Sequence, residues 1–329
     1  MGMSGYRSPC WLPGGHLQTL YPYFFAPRPK INYRRERWEL PDGDFLDLDW
    51  LDGPVNSDLV VLFHGLEGNA RGYYVLTLMQ YIQHAGFTGV VVNFRGCSGE
   101  ANRLQRAYFA GDSAEIDYII NRLHNTSQFK RIFSVGFSLG GNALLLWLGQ
   151  QGQLAKNRIQ GAVSVSAPLN LTAAGNTLDN GINRILYTRY FLYTLKKKAV
   201  AKLCRHPHRL NIDAIKRSTT LREFDDYYTA PVHGYRDALH YWQQAASLPV
   251  LQHISVPTLL INARNDPFLP GHFLPEPQHV SRYITLEFPD AGGHVGFPVG
   301  TFPGRINWLP SRIIEYFMTI PQTAPDALV

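Results

Sequence analysis

Short, almost wholly apolar runs return along this chain of 329 residues, with longer helical patterns between them. They are Leu59-Val-Val-Leu-Phe63, Gly89-Val-Val-Val-Asn93, Arg131 to Phe137, Ile159 to Val165, Val256 to Asn262 and Tyr283 to Phe288. Runs of this length without polar alternation suit strands buried on both faces, and such strands belong to parallel sheets covered by helices. The helices are written between them: Tyr73 to His84, closed by Gly86; Asp112 to Leu123, with Ile116, Ile119, Ile120 and Leu123 on one face; Leu139 to Gln150; and a last one at Trp308 to Thr319. The fold class is therefore α/β, with a mainly parallel central sheet and helices on both faces. Hydrophobic residues are 45% and charged residues 17%, enough apolar material for such a core and too little charge for a disordered chain.

Two segments break the rhythm. Near the start, Trp38 to Trp50 reads as two strands around a Pro-Asp-Gly-Asp turn, the second alternating as a half-buried strand does. After Pro168 no buried strand is written until Val256. Residues 168–248 read as a helical cap inserted into one α/β domain spanning 1–329. Ile185, Leu186, Tyr190 and Phe191 of this segment are expected to line an apolar acyl pocket.

Chemistry enters at Gly136-Phe-Ser-Leu-Gly140, between a strand and a helix. Glycines two before and two after a serine keep side chains out of a tight turn, so the hydroxyl projects above the sheet at a helix N-terminus. Ser138 is thus the candidate nucleophile. It needs a base, and the base needs an acid to orient it. Asp266 follows one late strand and His294 follows the next, on a loop made tight by Gly292 and Gly293. Asp290 competes for the acid role but lies too close in sequence to His294 for the usual layout, and His64 reads as a loop-holding histidine. For the oxyanion, the N–H after the nucleophile, Leu139, pairs with one from His64-Gly-Leu-Glu-Gly68, where Leu66 is the expected donor.

These stretches carry a resemblance. With Gly15-His-Leu-Gln-Thr19, Leu40-Pro-Asp-Gly-Asp44, Asn93-Phe-Arg-Gly-Cys-Ser-Gly-Glu-Ala-Asn-Arg103, Arg222-Glu-Phe-Asp-Asp226, Asn265-Asp-Pro267 and Gly292-Gly-His-Val-Gly-Phe297, they run in order through nearly the whole chain. The chain resembles the α/β-hydrolase fold superfamily, and within it the bacterial YheT-like esterase branch and its eukaryotic α/β-hydrolase-domain relatives. The resemblance implies a Ser-Asp-His enzyme acting on esters, either a hydrolase or an acyltransferase. The expected function is cleavage of carboxylic esters through an acyl-enzyme, with a small-molecule ester or short acyl lipid as substrate. An acyltransferase and a catalytically silent binding protein on the same fold stay open.

No cofactor is required by this chemistry. Cys204-Arg-His-Pro-His208 offers three ligands in five residues but no second pair, so no metal is expected. Three scattered cysteines, Cys10, Cys97 and Cys204, are not a disulfide framework and suit a reducing, cytoplasmic setting. The first residues contain no apolar signal core, Tyr6 stands where a myristoylation motif needs Ser or Thr, and no run is long enough to span a membrane. The net charge is +6. In the cap, Arg184, Arg189, Lys196, Lys197, Lys198, Lys202, Arg205 and Arg209 follow one another with no acid between them, interleaved with Tyr187, Tyr190, Phe191 and Tyr193. A solvated basic face over an aromatic cap core is expected, with peripheral contact to anionic lipid as the other reading. No nucleic-acid-binding motif accompanies the charge.

Overall fold

The buried strands are written in the pattern of their side chains. In β3 (Leu59–Phe63) every residue is buried; Leu59, Val61 and Phe63 point into one core while Val60 and Leu62 point into another. A strand with apolar residues on both faces must be covered on both faces, and the computed structural model, which describes residues 5–206 and 210–321, shows how. One sheet of eight strands runs in the order β1-β2-β4-β3-β5-β6-β7-β8. The strands are β1 (Arg34–Glu39), β2 (Phe45–Leu51), β3, β4 (Thr88–Asn93), β5 (Ile132–Phe137), β6 (Gly161–Val165), β7 (Thr258–Ile261) and β8 (Ile284–Glu287). From β4 to β8 across the sheet all pairs are parallel; β1–β2 and β2–β4 are antiparallel.

Helices α2 (Tyr73–His84), α3 (Ser113–Asn125) and α4 (Leu139–Gln151) follow β3, β4 and β5. One core joins α3 and α4 to the sheet; the other joins α2 and the C-terminal helix Trp308–Thr319 to its opposite face. Between β6 and β7 the chain is helical, from Leu171–Leu178 through the long helix Arg189–Leu203 to Ala238–Ala245. These helices hold a third apolar cluster, with Leu192, Phe224, Tyr241 and Trp242 at its centre.

Two features depart from the sequence reading. β2 is buried along its whole length rather than on one face. Asp47 and Asp49 lie inside because β1 supplies a partner for each: Arg37 makes two hydrogen bonds to Asp47 at 2.7 and 2.9 Å, and Arg35 two to Asp49 at 2.8 and 2.7 Å. Paired, hydrogen-bonded carboxylates tolerate burial that lone ones do not. The second departure is α1 (Gly15–Phe25), a helix that no apolar periodicity announces. Its buried residues are Gln18, Thr19 and Pro22.

Candidate active site

All five residues singled out by sequence lie where strands end. Ser138 follows β5, Leu66 lies beyond β3, Asp266 beyond β7 and His294 beyond β8. In a parallel sheet these ends share one edge, the usual place for ligands.

The serine turn is forced by close approach. A Cβ on Gly136 would lie 2.6 Å from the Gly140 carbonyl oxygen, and one on Gly140 would lie 2.5 Å from the carbonyl oxygens of both Phe63 and His64. Only glycine lets the chain reverse here against the end of β3. Ser138 itself has φ 51° and ψ −120°, a region non-glycine residues rarely occupy. Its N–H donates to Val165 O at 2.8 Å and its carbonyl accepts from Asn142 N–H at 3.0 Å, which pins the strained turn between β6 and α4. The Ser138 side chain caps no helical N–H and instead lies 2.9 Å from His294 Nε2.

The other imidazole nitrogen, Nδ1, is 2.9 Å from Asp266 Oδ2 and 3.2 Å from Oδ1. The carboxylate only accepts, so Nδ1 carries the proton and Nε2 is left as the acceptor facing the Ser138 hydroxyl. Asp266 Oδ1 also accepts from the Phe268 N–H at 2.8 Å. The Phe268 ring stacks on the imidazole, centroids 3.9 Å apart and planes 20° apart. Asp266 and His294 are both buried. Asp290, the competing acid, has a fully exposed side chain 3.7 Å from Arg264.

α1 supplies what the sequence reading did not foresee. Thr19 Oγ1 accepts from the His294 N–H at 2.8 Å and donates to Gly15 O at 2.7 Å. Gln18 Oε1 accepts from the Gly292 N–H and from Asn265 Nδ2, both at 2.9 Å, and Asn265 Oδ1 accepts from the Gly293 N–H at 3.1 Å. The backbone of the histidine loop is thus held by polar side chains from α1 and from the acid's own loop. The only signal for this in the sequence was the stretch Gly15-His-Leu-Gln-Thr19 itself.

In the loop after β3, the N–H of Gly65 donates to Tyr74 Oη at 3.1 Å, that of Glu67 to Tyr108 Oη at 2.6 Å and that of Gly68 to Gly65 O at 3.0 Å. That leaves Leu66; neither its N–H nor that of Leu139 has an acceptor among the described residues. The loop abuts the serine, since a Cβ on Gly65 would sit 3.0 Å from Ser138 Cβ and 3.6 Å from its Oγ. His64 holds the loop from beneath. Its Nε2 accepts from the Phe94 N–H at 3.1 Å and its Nδ1 lies 2.8 Å from Gly65 O, so Nδ1 bears the proton; burial pulls its pKa down to about 4 and keeps it neutral. Glu67, at φ 56°, accepts from Tyr108 Oη at 3.0 Å and from Lys198 Nζ at 2.9 Å, tying the helix Arg189–Leu203 to this loop.

The basic residues between Arg184 and Arg209 divide. Lys198 is paired with Glu67, Lys196 donates to Lys216 O and Ser218 O at 2.9 Å, and Lys202 donates to Arg106 O with its pKa pulled down to about 8 by burial. Arg189, Lys197 and Arg205 are exposed. His208 and Arg209 lie outside the described residues. Among the described residues no group of three His, Cys, Asp or Glu side chains could hold a metal ion, and no helix is long and apolar enough to cross a membrane. The Cys97 thiol is buried and its pKa raised to about 11, away from thiolate chemistry. Of the side chains expected to line an acyl pocket, Ile185 and Tyr190 are more than half exposed, whereas Leu186 and Phe191 pack against the third apolar cluster.

Comparison with known proteins gives a consistent picture. A family model described as alpha/beta hydrolase fold matches residues 58–301. A protein of Escherichia coli (strain K12) named "Putative esterase YheT" is 39% identical over 309 residues, covering 92% of this chain and 90% of its own. Phospholipase ABHD3 of Mus musculus is 28% identical over 322 residues, covering 94% and 76%. Among solved structures, the Pyrococcus furiosus esterase Pf2001 superposes with a TM-score of 0.56 at 17% identity, over 90% of this chain and 97% of that one, a likeness of fold.

Proposed function

This chain belongs to the α/β-hydrolase fold family, and on that premise we propose that it is a serine hydrolase that cleaves carboxylic esters through an acyl-enzyme. The observation that carries the reading is the unbroken line from Asp266 Oδ2 through His294 Nδ1 and Nε2 to Ser138 Oγ, each link 2.9 Å. Ser138 Oγ attacks the ester carbonyl carbon as its proton passes to His294 Nε2. The carbonyl oxygen becomes an oxyanion received by the Leu66 and Leu139 N–H groups. Asp266 stabilises the imidazolium without taking its proton. Collapse breaks the bond to the alcohol oxygen, which leaves with the proton from Nε2. Water then attacks the acyl-enzyme, giving its proton to Nε2, and the same steps in reverse order free the acid and restore the serine hydroxyl.

In this reading the chain is one hydrolase domain and its segment 168–248 is the cap. Phe268 and Phe191 give the acyl side of the site an apolar wall. An esterase relative and a phospholipase relative support an ester-bearing small molecule or a short acyl lipid as the substrate class.

The test is labelling by a fluorophosphonate, together with hydrolysis of aryl esters from acetyl to palmitoyl, on wild type and Ser138→Ala. Labelling and turnover by the wild type, both lost in a folded Ser138→Ala protein, are the expected results. A homogeneous Ser138→Ala sample retaining most of the rate overturns the proposal. Added alcohol that diverts the acyl group into a new ester reassigns the enzyme as an acyltransferase. An unlabelled wild type reassigns the fold to binding.

A further inference from the structure

Two elements beside the site hold large apolar side chains in water. At the end of α1, Phe24 is 66% and Phe25 70% exposed; on the segment after β6, Ile185 is 62% and Tyr193 70% exposed. The two elements meet where Tyr23 Oη and Tyr190 Oη lie 2.9 Å apart. From there ring contacts run inward, Phe24 to Tyr23 at 5.0 Å, Tyr23 to Tyr190 at 6.2 Å and Tyr190 to Phe191 at 6.0 Å. Phe191 meets Phe268 at 6.0 Å, and Phe268 stacks on His294 at 3.9 Å. Its outer end, Phe24, is two-thirds exposed and its inner end, Phe268, 8% exposed. An aromatic surface therefore leads from bulk water to the proposed base. Nothing in the core asks for adjacent phenyl rings at an exposed helix end, and among the described residues nothing covers them.

The charge written along the two stretches that carry these rings has one sign. The first acidic residue of the chain is Glu36, and there is none between Asp179 and Asp213. Arg28, Lys30, Arg189 and Lys197 are exposed, and none forms an ion pair among the described residues. Exposed aromatic rings flanked by unpaired cations, with no carboxylate on α1 or between Asp179 and Asp213, match the interface of an anionic bilayer, where rings sit at headgroup level and cations meet lipid phosphates.

We propose that the end of α1 and the adjoining face of the segment after β6 dock on an anionic membrane surface. Docking turns the aromatic path, and so the mouth of the site, toward the lipid. The same helix that holds the histidine loop through Thr19 and Gln18 holds the bilayer through Phe24 and Phe25. The inference goes beyond the hydrolase reading, because docking needs no turnover.

The experiment is co-sedimentation of full-length Ser138→Ala protein with phosphatidylcholine vesicles and with mixed phosphatidylcholine/phosphatidylserine vesicles. Since no turnover occurs, failure of the esterase proposal leaves this measurement intact. Binding to the mixed vesicles, weakened by salt, is expected. The double variant Phe24→Ser/Phe25→Ser on the same background is expected to partition at least about tenfold more weakly with an unchanged melting temperature. Arg189→Glu/Lys197→Glu, which leaves the rings intact, is expected to lose about tenfold of the preference for phosphatidylserine. No binding by the parent protein, or binding by both double variants as strong as the parent's, overturns the proposal. So does a dimer that disappears in Phe24→Ser/Phe25→Ser while vesicles capture neither form, since the face would then join two copies of this chain.

Discussion

Replacing Thr19 by valine removes one hydroxyl and keeps the shape of the side chain. That hydroxyl accepts from the His294 N–H at 2.8 Å and donates to Gly15 O at 2.7 Å. Thr19 and His294 are both buried, so water has no easy route to the abandoned donor. A buried donor left without an acceptor costs about 1–3 kcal/mol. The energy has two outlets. If the loop stays in place, the whole protein is destabilised, and a chain of this size melts lower by about 1–2 °C per kcal/mol. If the loop shifts to find another acceptor, Nε2 leaves its place 2.9 Å from Ser138 Oγ and the loss falls on the transition state. At 1.36 kcal/mol per factor of ten, that is about a 5- to 150-fold drop in kcat/KM. Thr19→Ser keeps the hydroxyl and should stay within about threefold of wild type. The assay is kcat/KM on a short aryl ester alongside thermal unfolding for all three proteins. Thr19→Val matching wild type in both rate and melting temperature, or Thr19→Ser failing as badly as Thr19→Val, refutes the idea that α1 holds the histidine loop through this hydroxyl.

Gly140→Ala should destabilise the fold by about 1–3 kcal/mol and lower turnover, since its methyl meets the carbonyl oxygens of Phe63 and His64 at 2.5 Å; urea titration and the aryl-ester rate check it. Burial raises the Asp225 carboxyl to about 7, with Trp242 Nε1 donating to it at 2.7 Å. The folded chain therefore keeps a proton that the unfolded chain releases above its ordinary pKa of 3.8, so this group's contribution falls as pH rises from about 4 to about 7. Asp225→Asn should accordingly melt higher than wild type at pH 8, with the gap closing near pH 4; melting curves at both pH values decide it. Phe191→Ala should change how kcat/KM varies with acyl length, because Phe191 packs on Phe268 beside His294, at about 0.8 kcal/mol for each methylene the wall no longer covers; an unchanged profile means the wall lies elsewhere.

What could be read from the sequence follows from how each part earns its burial. The parallel strands are apolar on both faces, so their places are written residue by residue in runs such as Leu59–Phe63. Ser138, Asp266 and His294 each follow such a run, and that makes their common edge of the sheet readable in the sequence. α1 was not readable, because the face it buries carries Gln18 and Thr19 and is stabilised by hydrogen bonds to loops far away in sequence. An apolar periodicity of 3.6 cannot report a helix whose buried face is polar. β2 misled for a related reason. Its aspartates look outward-facing in the alternation, yet Arg35 and Arg37 of β1 bring them inside. Ile185 and Tyr190 were expected in a pocket because large apolar residues usually seek cover; their exposure is visible only once the neighbouring helix is placed.

The hydrogen bond from His294 to Thr19 joins residues 275 apart in sequence. A ribosome delivers the second of them 275 residues after the first. Ser138 emerges while Asp266 and His294 are still untranslated, and α1 waits for the loop it will hold. A chain stalled before β8 would carry a nucleophile on a turn with nothing to take its proton. If the proposed hydrolase reading holds, the newborn protein is inert toward esters until His294 arrives, and the first turnover marks the moment when α1 and the histidine loop have found each other.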